Sequence, residues 1–182
     1  MPRRIYVASS WRNTEQPAVV ALLRGAGHRV YDFRNPREGD HGFSWSEIDP
    51  AWQGWTPSLL RQALTHPAAR RGFANDFDGM RWADTGVLLL PCGRSAHLEA
   101  GWFTGSGREL FVLMCQPEVP ELMYRMATAI CVSVEELLER LDLPAERSAE
   151  RSAAGTVGDD VRRLGAAREV PGRKSNSGLV AQ

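Results

Sequence analysis

The stretch DTGVLLLPCGRSAHLEAGW at residues 84–102 decides how the chain is read. Residues 85–90 form a short apolar run of β type. Pro91, Cys92 and Gly93 interrupt it. Ser95 is then placed to cap a helix over residues 95–104, because its hydroxyl can accept from a free backbone N–H one turn on. Glu99 falls in the first turn or so of that helix. The unit is strand, tight glycine turn, helix, with a carboxylate near the helix start. Ligands of open α/β sheets bind beyond the carboxyl ends of the strands, where such turns lie. Glu99 is therefore the centre of the candidate site.

Working outward, Arg4–Ala8 (RIYVA) is β-rich and apolar on both faces, as a buried parallel strand should be. A polar loop with Ser9 and Arg12 follows. Thr14 can cap a helix carrying Val19, Val20, Leu22 and Leu23 at helical spacing. Gly25 and Gly27 end it, and residues 28–33 (HRVYDF) form a second strand, giving a β-α-β crossover. Residues 34–55 are a long segment with Phe43, Trp45, Trp52 and Trp55. Its tryptophans either plug into the core or form a wall for stacking on a planar ring. Thr56-Pro57 starts a helix and His66-Pro67 breaks it. A further helix over residues 70–83 carries Asp76 and Asp78, and Asp84 follows its end. Residues 110–115 are a fourth strand, residues 121–126 a short helix, and residues 129–132 a short fifth strand. Ser133 and Glu136 have capping-box spacing and open a last helix, which Pro144 ends.

Strands alternating with helices predict an α/β, doubly wound, flavodoxin-like or Rossmann-like sandwich: about five mostly parallel strands with helices on both faces. The domain spans residues 1–143. Residues 144–182 lack aromatic residues, repeat AERS, and read as a low-complexity, disordered tail.

Composition narrows the function. Hydrophobic residues make up 43% of the 182 and charged residues 24%, ordinary values for a globular domain. Lys+Arg and Asp+Glu both count 22, so no global positive field exists to hold a nucleic-acid polymer, and a small ligand is the expected partner. Cys92, Cys115 and Cys131 fit neither a disulfide framework nor a zinc pattern, and Cys115 and Cys131 read as core. No signal sequence or membrane span is visible, so the cytoplasm is the expected location. The turn at Gly93 matches neither a Walker A nor a dinucleotide GxGxxG pattern, and no metal cluster or cofactor motif is evident.

Several segments together resemble the nucleoside 2-deoxyribosyltransferase family. They are IYVASS, RGAGHRVYDFRNP, NDFDGMRWAD, and GRSAHLEAGW followed by a glycine turn and LFVLM. The resemblance covers roughly residues 4–141. It implies a flavodoxin-like fold and cleavage of the N-glycosidic bond at C1′ of a nucleoside or nucleoside 5′-monophosphate. The base is then exchanged or lost to water. A homo-oligomer, with a neighbour's residue completing the pocket, is also implied. Carried over residue by residue, Glu99 matches the nucleophile and Asp76 the carboxylate that assists the leaving base. Asp84 matches the acidic residue before the central strand, and Ser9 the loop near the sugar or phosphate. The loop PCGRSAH and the length of the tryptophan flap depart from the family's pattern.

The residues support that chemistry in their own terms. Breaking a glycosidic bond creates an oxocarbenium-like centre that one carboxylate can stabilise while a second acid protonates the leaving group. Glu99 with Asp76 or Asp84 is the candidate pair. Their like charges should raise one pKa, while the helix start should keep Glu99 ionised. Asp32 is a candidate for orienting substrate hydroxyls. Gly93, Arg94 and Ser95, with Arg12, could hold a phosphate at the helix start. Each has a plainer reading: Asp76 as an exposed helix carboxylate, Asp84 as a cap, Arg94 as a solvated turn residue, His66 as a helix-end residue, His97 as a helix-surface contact. The competing functional reading is a non-catalytic module that senses a nucleotide-derived ligand on the same fold.

Overall fold

The computed structural model describes residues 1–143; the tail expected over residues 144–182 lies outside the described residues. Five strands, β1 (Arg4–Ala8), β2 (Arg29–Tyr31), β3 (Thr85–Leu89), β4 (Glu109–Leu113) and β5 (Ala129–Cys131), form one sheet in the order β2-β1-β3-β4-β5. Every neighbouring pair is parallel. This is the doubly wound, flavodoxin-like arrangement that the sequence predicts.

Side-chain alternation along the strands divides the core in two. Ile5, Val7, Val87, Leu89, Phe111 and Leu113 face helices α1 (Gln16–Gly25) and α5 (Val134–Asp142), meeting Val19, Val20, Leu23, Leu137 and Leu141. Tyr6, Ala8, Leu88, Leu110 and Val112 face the other way, onto α3 (Pro67–Trp82) and α4 (Arg94–Gly105). There they meet Met80, Ala96, Ala100 and Phe103. A short helix, α2 (Pro57–Ala63), precedes α3, and single 3-10 turns lie at Trp45–Glu47, Trp52–Gly54 and Leu122–Met126.

Several boundaries differ from the sequence reading, each for a local reason. α1 starts at Gln16, and Asn13 Oδ1 accepts from Glu15 N at 2.9 Å, so Asn13 and not Thr14 serves the helix start. Leu22 is 50% exposed, because the buried stripe runs through Gln16, Val19, Val20 and Leu23. α3 begins at Pro67. His66 caps it, with Nδ1 accepting from Ala68 N at 3.2 Å, so His66 opens a helix instead of ending one. The strand read over residues 28–33 keeps only Arg29–Tyr31, since Asp32 turns to accept from Arg34 N. Cys115 lies past the end of β4 and is exposed, whereas Cys131 is buried. Ser133 does cap α5, accepting from Glu136 N at 3.2 Å, but the Glu136 carboxylate reaches one residue further, to Val132 N.

Two arginines tie the layers together. Arg3 donates to Thr85 Oγ1 and to the carbonyls of Leu141 and Leu143, and pairs with Glu109. Arg108 donates to the carbonyls of Met80, Arg81 and Ala83 at the end of α3 while its guanidinium lies 5.0 Å from the ring centre of Trp102 on α4. Arg3→Ala removes a charged donor set and leaves the largely buried Glu109 unpaired. It should cost about 2–4 kcal/mol, read as a lower denaturant midpoint with an unchanged slope.

Candidate functional site

Glu99 and Asp76 approach each other on the α3/α4 face of the sheet. Register does much of the work. Tyr6 of β1 pairs with Tyr31 of β2, so both rings stand on the same face, stacked at 5.2 Å and 8°. Gly79 makes room for this. A Cβ there would lie 2.7 Å from the Tyr31 ring, so only glycine lets α3 pass over it. One turn earlier on α3, Asp76 Oδ1 accepts from the Tyr31 hydroxyl at 3.0 Å. The Tyr6 hydroxyl faces Glu99, which α4 brings in from the other side. Both carboxyls are partly buried and keep some surface in solvent.

Burial sets the electrostatics. It pushes Glu99 up to about 7; the neighbouring Asp76 charge adds to this, and the Tyr6 hydroxyl opposes it. Burial likewise pushes Asp76 up to about 6, against the pull of the Tyr31 hydrogen bond and with the help of Asp40. Tyr6 and Tyr31 are both raised, by burial first and then by these carboxylates, so both stay protonated donors. The helix start does not keep Glu99 ionised, contrary to the sequence reading. Gly93, not Ser95, is the N-cap of α4, and Ser95 is an exposed residue inside the first turn. Glu99 is thus in the second turn, roughly 7 Å along the axis from Arg94. The macrodipole effect fades within the first turn.

The other predicted residues divide. Ser9 stands at the carboxyl end of β1, but its hydroxyl donates to Leu89 O at 2.9 Å and accepts from Asn13 Nδ2 at 3.1 Å. Asn13 also reaches Pro91 O, so the pair braces the ends of β1 and β3. Gly93 and Arg94 are exposed beside that brace, as is Arg12 on the first loop. Asp84 is not in the cluster. It lies at the amino end of β3, where its carboxylate accepts from Arg4 N, Arg4 Nε and Thr85 Oγ1. The strand between it and the α4 turn is roughly 16 Å long. Asp32 is buried and already accepts from Gln16 Nε2, Arg34 N and Asn35 Nδ2, which fixes the loop and not a substrate hydroxyl. Trp45 packs edge-on against Phe43 and Trp55, at 4.8 and 5.5 Å. Trp55 donates to Asp49 Oδ2 at 2.6 Å and lines a cavity of about 460 Å³ with Leu59, Gln62 and His66. Neither Glu99 nor Asp76 lines that cavity, and Trp52 is partly buried in its own 3-10 turn. His97 is engaged at both nitrogens, by Gly93 O and the Tyr124 hydroxyl. Cys92 is pushed up to about 12 by burial and then by Glu99 and Glu118, so it is a neutral thiol.

Tyr6, Tyr31 and Asp40 were not among the residues the sequence singled out. A usable signal existed for the tyrosines: each is a hydroxyl-bearing residue within an otherwise apolar strand. Among the described residues no group of three or more His, Cys, Asp or Glu is arranged to hold a metal ion, and no helix is long and apolar enough to cross a membrane.

Against known proteins, no family model matches the chain and no curated protein does. A solved 2-deoxyribosyltransferase from Bacillus psychrosaccharolyticus, a biocatalyst for nucleoside synthesis, aligns at a TM-score of 0.50 with 19% identity. The match covers 79% of this chain and 94% of that one. The two chains share one fold. A CMP N-glycosidase from Clostridium botulinum aligns at a TM-score of 0.43 with 16% identity, over 78% of this chain and all of that one (100%).

Glu99 supplies a pH test independent of any substrate. Its folded pKa of about 7 lies above the ordinary 4.5, so the folded state holds this proton more tightly than the unfolded chain does. The stability it confers is complete below the unfolded value and is lost as pH rises through about 7. The melting temperature of the wild type should therefore fall between pH 5 and pH 8, and Glu99→Gln should fall less over the same range.

Proposed function

We propose that the protein cleaves or transfers at the N-glycosidic bond of a nucleoside or nucleoside 5′-monophosphate, with Glu99 as nucleophile and Asp76 as the acid for the leaving base. The observation that carries this reading is the convergence of two partly buried carboxyls from α3 and α4, each beside a tyrosine hydroxyl, with pKa values near neutrality. The shared fold and the sequence resemblance point the same way.

Around pH 6–7 the pair holds about one proton between its two carboxyls. The productive arrangement puts that proton on Asp76. A Glu99 oxygen bonds to C1′ as the C1′–N bond breaks, and the bond's electron pair leaves with the base, which takes the proton from Asp76. Water or a second base then attacks C1′, the ester to Glu99 opens, and its electron pair returns to the carboxylate. In either case Asp76 receives the proton that the attacking water or base loses. Tyr6 orients Glu99, and Tyr31 holds Asp76 toward the same point. Arg12, Gly93, Arg94 and Ser95, on the loops that follow β1 and β3, are the candidate contacts for the sugar or its phosphate, and Ser9 braces those loops. A homo-oligomer has apolar surface available on α3 and α4, where Phe73 is 68% and Leu98 78% exposed.

Incubation with deoxynucleosides and nucleoside monophosphates, with and without an acceptor base, tests the reading by chromatography of free base. Glu99→Ala should reduce release to background. Asp76→Asn should lower kcat/KM by roughly 10²–10⁴-fold for ordinary bases, and much less for an N7-methylated purine nucleoside, whose base leaves without protonation. Saturable ligand binding with no free base, identical in wild type and Glu99→Ala, would instead establish a sensing module.

A further inference from the structure

Asp40 lies on the segment between β2 and α2, partly buried. One carboxylate oxygen accepts from Gly42 N at 3.0 Å and the other from Asn75 Nδ2 at 3.0 Å. Asn75 directly precedes Asp76 on α3. The loop has little room to move. Asp40 is bridged to Arg37 through the backbone, and Gly39 and Gly42 sit at φ 77° and 75°, where side chains are disfavoured. A Cβ on Gly42 would fall 2.3 Å from Phe33 O and 2.9 Å from the Trp11 ring. The carboxylate is thus anchored against the Asn75–Asp76 step of α3.

We propose that Asp40 is a positioning residue for Asp76, a fixed negative charge that holds the proton at Asp76 until the departing base takes it. This rests on Asp76 being the acid of the reaction proposed above. The groups facing the Asp76 carboxyl are Tyr31 from β2, Tyr6 from β1, Glu99 from α4 and Asp40 from the loop, with Arg37 beside Tyr31. Tyr31 favours the carboxylate, whereas burial and Asp40 favour the acid. Glu99 also repels a second charge, but only while it is itself an anion. Once it is bonded to C1′ that repulsion is gone. Asp40 forms no bond in the reaction, so its charge persists through both steps. It keeps Asp76 basic enough, after the base has left, to accept the proton of the attacking water.

Asp40→Asn tests this on the full chain, because asparagine keeps the shape and an oxygen for Gly42 N. Carboxyl ¹³C NMR titration, with Asp76 assigned from Asp76→Asn, reads the effect directly. The Asp76 midpoint should fall in Asp40→Asn by about 0.3 pH unit or more, a loss of roughly twofold or more in proton affinity. It should remain raised in Asp40→Glu. The alkaline limb of the base-release profile should move to lower pH by the same amount. If Asp40→Asn does not fold, Asn75→Ala cuts the tether and should lower the midpoint in the same direction. An Asp76 midpoint unchanged in whichever variant folds overturns the proposal. A shifted midpoint in a protein that releases no base would uphold the electrostatic link and overturn the glycosidic reading instead.

Discussion

Two acidic groups cannot both ionise freely when they share a partly dry space, and the architecture around Glu99 and Asp76 maintains that conflict. Two apolar faces of one sheet fix where the helices lie, and α3 and α4 cover the face that carries the tyrosines. Among the described residues, neither carboxyl pairs with an arginine or lysine that would neutralise it. Their compensation comes from phenolic hydroxyls, which stabilise an anion without adding charge. Protons are therefore held near neutrality in a fold whose other carboxylates mostly face solvent or basic partners.

Much of the fold was legible because apolar runs such as YVA, VLLL and LFVL leave little choice but buried parallel strands. Of the candidate pair that the fold brings together, Glu99 was singled out by the strand–turn–helix unit around it, and Asp76 by the resemblance. Asp84 was placed wrongly for a geometric reason. A residue adjacent in sequence to a strand can be at either end of it, and Asp84 precedes β3 whereas the site follows it. Asp32 was misread because a buried carboxylate close to a loop looks free until its three donors are seen. Trp45 and Trp55 pack edge-to-face on each other, which no one-dimensional pattern reveals. Tyr6 and Tyr31 were missed because a tyrosine in an apolar strand reads as core. Only the β1–β2 register shows that the two share a face and that their hydroxyls meet the acids.

The protonation of Glu99 shows how a small shift in helix boundary changes the chemistry. With Ser95 as cap, Glu99 would lie closer to the free N–H groups and the positive end of α4. Starting the helix at Arg94 moves it into the second turn. Desolvation then outweighs the dipole, and Glu99 keeps its proton up to about pH 7 instead of ionising in the ordinary carboxylate range.

Arg108 has a mechanical consequence. One guanidinium holds the last carbonyls of α3 and rests on Trp102 of α4, so the two helices that carry the acids are coupled at their far ends. A substrate cannot gain entry by prising them apart without breaking several hydrogen bonds at once.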